Sequence, residues 1–253
     1  MDLGLRGKKA IVTGGTKGIG RSIVELLAHE GVDIGLCARS ADEVEETVRQ
    51  LKVRGINAVG DSVNVRNAEA YGDWLQRTVD ALGGCDIFIP NVSAAGGMDS
   101  EKNWIKNFEI DVMHTVRGCD LLMPALSKSG HGSIVLLAST NALETFAAPM
   151  AFNAMKATLI QYSKDLAASV APRGVRVNSV APGPIFFEGG AWELIQGTQP
   201  KFYDWALKQI PSRRLGTPDE VARVVTFLAS PTAGWLSGTN LLADNGFTKG
   251  VLH

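Results

Sequence analysis

Short, nearly unbroken apolar runs alternate along the chain with longer stretches in which apolar residues return every three or four positions. Lys9–Thr13, Val32–Cys37, Ala58–Val63, Ile87–Pro90, Ile134–Ala138, Val175–Val180 and Leu241–Ala243 form the first group. Continuous apolarity over four to six residues is the pattern of strands covered on both faces, so these predict seven buried strands. Ile19–Glu30, Ala41–Arg54, Ala68–Leu82, 101–127, 150–171 and 218–229 carry the helical period. Strand–helix alternation of this kind predicts an α/β chain with a doubly wound parallel sheet flanked by helices. With no repeat, low-complexity tract or linker, residues 1–253 are expected to form one domain. The least regular stretch, 184–214, is rich in Gly, Pro and aromatics and is expected to lie as a lid over a site.

The first strand runs into Thr13-Gly14-Gly15-Thr16-Lys17-Gly18-Ile19-Gly20, and a helix follows at once. Glycines at 14, 18 and 20 allow a sharp turn, close approach of a pyrophosphate and tight helix packing, and the helix N-terminus adds amide donors. A glycine cluster can be a simple tight turn, but between strand one and helix one it points to dinucleotide binding in a Rossmann-like fold. At the end of the second strand, where an acid would chelate the adenosine ribose, the chain has Ala38-Arg39-Ser40. A guanidinium there suits a 2′-phosphate, and Lys17 is a second cation for it. NADP(H) is therefore expected over NAD(H), although both lysine and arginine could be ordinary surface cations.

If Pro149 opens a helix, Phe152 and Lys156 share one face, and that face meets Ser139 at the end of the fifth strand. A hydroxyl and an ammonium converge there on a benzene ring. The 45% apolar and 20% charged composition and the net charge of −1 give no electrostatic footprint for nucleic acid or an anionic membrane. No apolar run is long enough for a bilayer and no signal segment is evident. Cys37, Cys85 and Cys119 lack any CxxC spacing and are expected to be reduced thiols of a cytoplasmic protein. His29, His114, His131 and His253 have no metal-ligand spacing.

Taken together, Thr13-Gly14-(x3)-Gly18-Ile19-Gly20, Ser139, Phe152-(x3)-Lys156 and Pro182-Gly183 make the chain resemble the short-chain dehydrogenase/reductase family over nearly its whole length. The resemblance implies that Phe152 stands at the position of the family's catalytic tyrosine, that Ser139 holds the substrate oxygen and that Lys156 holds the nicotinamide ribose. It also implies cofactor contacts from Gly14, Thr16, Lys17, Gly18, Ile19, Gly20, Arg39, Ser40, Asn64, Val65, Asn91, Pro182, Gly183 and Ile185. Asp111 takes the place of a catalytic-site Asn, Asn64-Val65 that of an Asp-Val pair near the adenine, and Phe187 that of a Thr that bonds the carboxamide. Asn91-Val92-Ser93-Ala94 stands where the family has NNAG. A carboxylate at 111 either faces Lys156 or lies solvated near Arg117. The implied assembly is a homotetramer or homodimer through the 101–127 and 150–171 helices.

The expected activity is NADP(H)-dependent interconversion of a small hydrophobic or ring-bearing ketone or aldehyde and its alcohol. Phe187 and Trp192 are candidate substrate contacts in the aromatic 184–214 segment. Without a phenol, turnover is expected to be slow, and two origins for Phe152 stay open: a deliberate Tyr-to-Phe exchange or natural divergence. Competing functions are a noncatalytic NADP-binding sensor and a non-redox lyase or isomerase on the same scaffold. Glu144 is expected to be an exposed loop carboxylate, with a polar substrate contact as the alternative.

Overall fold

The computed structural model describes residues 2–94, 99–146 and 149–250. Seven parallel strands, β1 (Lys9–Thr13), β2 (Asp33–Ala38), β3 (Ala58–Ser62), β4 (Ile87–Pro90), β5 (Ser133–Leu137), β6 (Arg176–Pro182) and β7 (Asn240–Ala243), form one sheet. Their order is β3-β2-β1-β4-β5-β6-β7. The chain thus winds outward in one direction from β1 and in the other from β4. The crevice between these two strands is the topological switch point, where ligands of open α/β sheets bind.

Period-two alternation sorts the strand residues onto two cores. Ala10, Val12, Ile34, Leu36, Ile87, Ile89, Val135 and Leu137 pack on one face, beneath Ile23, Val24 and Leu27 of α1 (Gly18–His29) and Val221, Val225 and Leu228 of α9 (Pro218–Ala229). Ile11, Cys37, Phe88, Ile134 and Leu136 point the other way. They meet Tyr71, Trp74 and Leu75 of α3 (Ala68–Leu82), Leu122 of α5 (His114–Lys128) and Leu159 of α6 (Met150–Val170). Local signals close these helices where expected. Ser40 caps α2 (Ala41–Lys52) by accepting from the Glu43 amide, Asn67 caps α3, and Thr217 and Glu220 form a capping box around Pro218.

Two expectations are corrected. The 101–127 region is not one helix: α4 (Glu101–Asn107) passes into a π-helical segment, Phe108–Met113, before α5 begins. The wider turn leaves carbonyls that side chains take up, the Ile110 oxygen facing the His114 ring and the Asp111 oxygen accepting from Thr115 Oγ1 at 2.9 Å. Segment 184–214, read as the least regular stretch, is more ordered than that, since it holds α7 (Ala191–Thr198) and α8 (Pro200–Gln209). Its aromatic residues pack on one another, with Phe146 and with Phe247, so neither short helix shows a sheet-facing stripe in its sequence.

Candidate active site

The phosphate loop between β1 and α1 is a cradle from which Cβ atoms are excluded. Gly14 and Gly18 have φ of +70° and +52°, and a Cβ on Gly20 would collide with the Gly14 carbonyl oxygen and the Asn91 amide. Lys17, at the N-cap of α1, makes no side-chain cap, so the first-turn amides of this helix remain open to an anion. These features fit the pyrophosphate of a dinucleotide. Asn91, expected near a ribose, spends its side-chain nitrogen on the Thr13 and Gly14 carbonyls, both at 3.1 Å, and so braces the loop. Thr13 Oγ1 accepts from the Asn91 and Val92 amides at 3.0 and 3.2 Å.

At the adenosine corner, Arg39 is exposed at the end of β2 and Ser40 is engaged as the α2 cap. Lys17 is not a free cation: its Nζ lies 2.8 Å from Glu43 Oε1, and Thr16 Oγ1 donates to Glu43 Oε2 at 3.2 Å. Lys17, above all, holds the Glu43 carboxyl below the usual carboxylate range. Glu43 escaped the sequence reading because a first-turn acid after a serine cap is explained by helix capping alone. Asn64 Oδ1 accepts from the Arg66 amide, and Val65 is buried against the second core.

The reaction corner lies at the carboxyl ends of β4 and β5. Lys156, from the second turn of α6, is buried and donates to the Leu137 carbonyl of β5 at 2.8 Å. Its Nζ is 3.1 Å from Asp111 Oδ1 and 5.6 Å from the Phe152 ring centroid. Asp111 therefore faces Lys156, fully buried, and the solvated alternative near Arg117 is overturned. The π-helical segment turns this carboxylate inward. It also accepts from Ser93 Oγ at 2.6 Å and the Ala94 amide at 3.0 Å, so the segment after β4, the π segment, β5 and α6 are tied at one point. Ser139 follows β5, and its hydroxyl accepts from the Asn141 amide at 3.2 Å, fixing the 3₁₀ turn Thr140–Ala142 on which α6 packs.

Behind this corner His114 is buried, and burial pushes its pKa down to about 4. Thr13 Oγ1 already accepts two backbone amides, so its proton is directed at His114 Nε2, 3.4 Å away, and Nδ1–H donates to the Ile110 oxygen. The neutral ring links the end of β1 to the π segment. His114 has no motif around it in sequence; only the fold reveals this position.

The candidate substrate residues part company. Phe187 lies on the phosphate loop, where a Cβ on Gly18 would come within 2.8 Å of its ring. Trp192 stacks on Phe202, with centroids 6.1 Å apart, and joins Phe146 and Tyr203. Pro182 ends β6, Gly183 passes so close to Asp244 that a Cβ would sit 2.9 Å from it, and Ile185 is buried and bridges to Gly216. Glu144 is no free loop carboxylate: Oε1 accepts from the Lys249 and Gly250 amides at 2.5 and 2.7 Å and pins the tail beside Phe247. His253 lies outside the described residues.

This arrangement can be set beside known proteins. A family model described as Enoyl-(Acyl carrier protein) reductase matches residues 14–248. Isoepoxydon dehydrogenase patN of Aspergillus clavatus is 35% identical over 98% of this chain and 97% of its own. Dehydrogenase/reductase SDR family member 4 of Sus scrofa is 30% identical over 96% of this chain and 88% of its own. The structure of L-sorbose reductase from Gluconobacter frateurii, complexed with NADPH and L-sorbose, superposes with a TM-score of 0.92 at 30% identity, covering 99% of this chain and 100% of that one. With the cradle at the switch point and matches of this extent, the chain belongs to the short-chain dehydrogenase/reductase family of oxidoreductases.

Proposed function

We propose that this protein is an NADP(H)-dependent oxidoreductase that interconverts a small hydrophobic or ring-bearing ketone or aldehyde and its alcohol, slowly, because Phe152 lacks a phenol. The observation that carries the proposal is the buried Lys156 ammonium, held on β5 and α6 beside Phe152, in one fold with the uncapped phosphate loop. Gly14, Gly18, Ile19 and Gly20 would hold the pyrophosphate, Arg39 the 2′-phosphate, and Lys156 the nicotinamide ribose, with Asn64, Val65, Pro182, Gly183 and Ile185 bounding the dinucleotide. Bound NADPH supplies the hydride. The chain's own task is to hold the substrate oxygen and manage a proton. Ser139 offers its hydroxyl to that oxygen, while Phe152 fills the space of a donor without having one. Two of the three Lys156 N–H groups are committed to Leu137 and Asp111, which keeps its charge fixed in place.

The NADPH in the L-sorbose reductase structure supports the cofactor class. The aromatic cluster of Phe146, Trp192, Phe202 and Trp205 supports an apolar substrate. Trp104, Ile105, Phe108, Leu121 and Met150 are exposed on α4, the π segment, α5 and α6, which supports pairing of these helices in a homodimer or homotetramer. Among the described residues no helix is long and apolar enough to cross a membrane, and the free, buried thiols of Cys37, Cys85 and Cys119 support a cytoplasmic location.

The test is Phe152→Tyr. A restored general acid is expected to raise NADPH-linked reduction across a carbonyl panel by about 10²–10⁴-fold. No gain sinks the proposal. Phe152 also favours a second reading, a dinucleotide-binding protein without turnover; NADPH binding with no loss of its near-ultraviolet absorbance, before and after the exchange, would select it.

A further inference from the structure

Three charged side chains share the adenosine corner, and one has the wrong sign for a phosphate. Lys17 reaches from the phosphate loop, Arg39 from just past the end of β2, and Glu43 from the first turn of α2. Glu43 spans the gap between the two loops with both oxygens, one on Lys17 Nζ at 2.8 Å and one accepting from Thr16 Oγ1 at 3.2 Å. Both partners belong to the loop that must receive the dinucleotide. Among the described residues Arg39 makes no direct ion pair, although its charge also acts on Glu43, so the corner offers a 2′-phosphate one guanidinium without a contact partner and one ammonium already neutralised.

We propose that Glu43 sets the coenzyme preference of this chain by competing with the 2′-phosphate for Lys17, which makes its selection of NADP(H) over NAD(H) weaker than Lys17 and Arg39 alone would give. The proposal rests on the NADP(H) reading of Arg39 and adds to it. Lys17 and Glu43 keep 63% and 37% of their side-chain exposure, so the pair lies in water and can open. Opening it frees the ammonium but leaves a carboxylate within a few ångströms of a group carrying a charge of about −1.5 to −2. At such distances in water the repulsion and the lost ammonium each change binding by several-fold. A bare 2′-hydroxyl feels neither penalty. Glu43 thus acts against one dinucleotide and not the other, from a helix turn that makes no contact with the reaction corner.

The experiment is equilibrium binding of 2′,5′-ADP and 5′-AMP, which differ only in the 2′-phosphate and lack the nicotinamide, to the full-length protein and its variants by calorimetry at 20 mM and 500 mM NaCl. E43Q is expected to tighten 2′,5′-ADP about tenfold at low salt, with less than a twofold change for 5′-AMP, and to lose most of the gain at high salt. K17M is expected to weaken 2′,5′-ADP more in the E43Q background than in the original chain, because only there is the ammonium released. Equal affinity of the original chain and E43Q for 2′,5′-ADP overturns the proposal. So does a gain that survives intact in E43Q/K17M, since Lys17 would then not be the group released. Arg39→Asp separates the underlying reading: a lost preference for 2′,5′-ADP supports it, and an unchanged preference overturns that reading irrespective of what E43Q does.

Discussion

Two lysine–carboxylate pairs flank the switch point, and their contrast shows what burial does to the same chemistry. Lys17 and Glu43 meet at 2.8 Å in water, Lys156 and Asp111 at 3.1 Å with side chains only 5% and 0% exposed. The shorter pair is the weaker one. Exposed ion pairs contribute about 0–1 kcal/mol because water competes and two long side chains must be ordered. A buried pair offsets a desolvation cost of several kcal/mol per ion, so its members depend on each other and on their remaining hydrogen bonds. One pair can open to admit an anion; the other fixes an ammonium in a position it keeps through binding.

The largest expected effect follows from breaking the buried pair. Asp111→Leu leaves the Lys156 ammonium with the Leu137 carbonyl alone, and urea denaturation is expected to show a loss of about 3–5 kcal/mol. Lys156→Met should cost less, since the Asp111 carboxylate keeps the Ser93 hydroxyl and the Ala94 amide. The double variant is expected to be more stable than Asp111→Leu alone. Additive losses would show that the two charges do not support each other and would erase the contrast.

A smaller effect tests the ground behind that pair. His114 is neutral when folded, with its pKa depressed from 6.5 to about 4 by burial. Below pH 6.5 the unfolded chain takes up a proton that the folded chain refuses, so stability falls as pH falls, and levels off below about 4. The window spans about 2.5 pH units, on the order of 3 kcal/mol. Carboxylates also lose stability in acid, so the informative quantity is the difference between the original chain and His114→Gln. The Gln variant should lose about 3 kcal/mol less between pH 7 and pH 4; parallel pH curves would mean that the ring takes its proton without cost.

Legibility along the chain followed the reach of each physical signal. β1, β4, α3 and α9 were readable to the residue, because unbroken apolar runs and Asn67 or Thr217–Pro218 caps are local. The π segment was not readable, since one extra residue in a turn leaves the apolar period of 101–127 almost unchanged while rotating Asp111 toward Lys156. The phosphate loop, Ser139, Phe152 and Lys156 stood out as motif positions. Glu43 and His114 did not, because their partners, Lys17 and Thr13, lie 26 and 101 positions away and on other elements. What the sequence hides here is pairing between distant elements, not the identity of the reactive groups.

The smallest expected effect lies in the exposed pair and closes the contrast. Glu43→Gln and Lys17→Met each remove one partner of a contact that water largely replaces, so unfolding free energies are expected to move by less than about 1 kcal/mol. Raising salt from 20 to 500 mM shortens the Debye length from about 20 Å to about 4 Å and should remove even that difference. The same salt change should leave the cost of Asp111→Leu in place, because its ammonium is out of reach of counterions. A loss above 2 kcal/mol for Glu43→Gln would make the adenosine corner a structural clamp, and a pair that firm could not yield Lys17 to a phosphate.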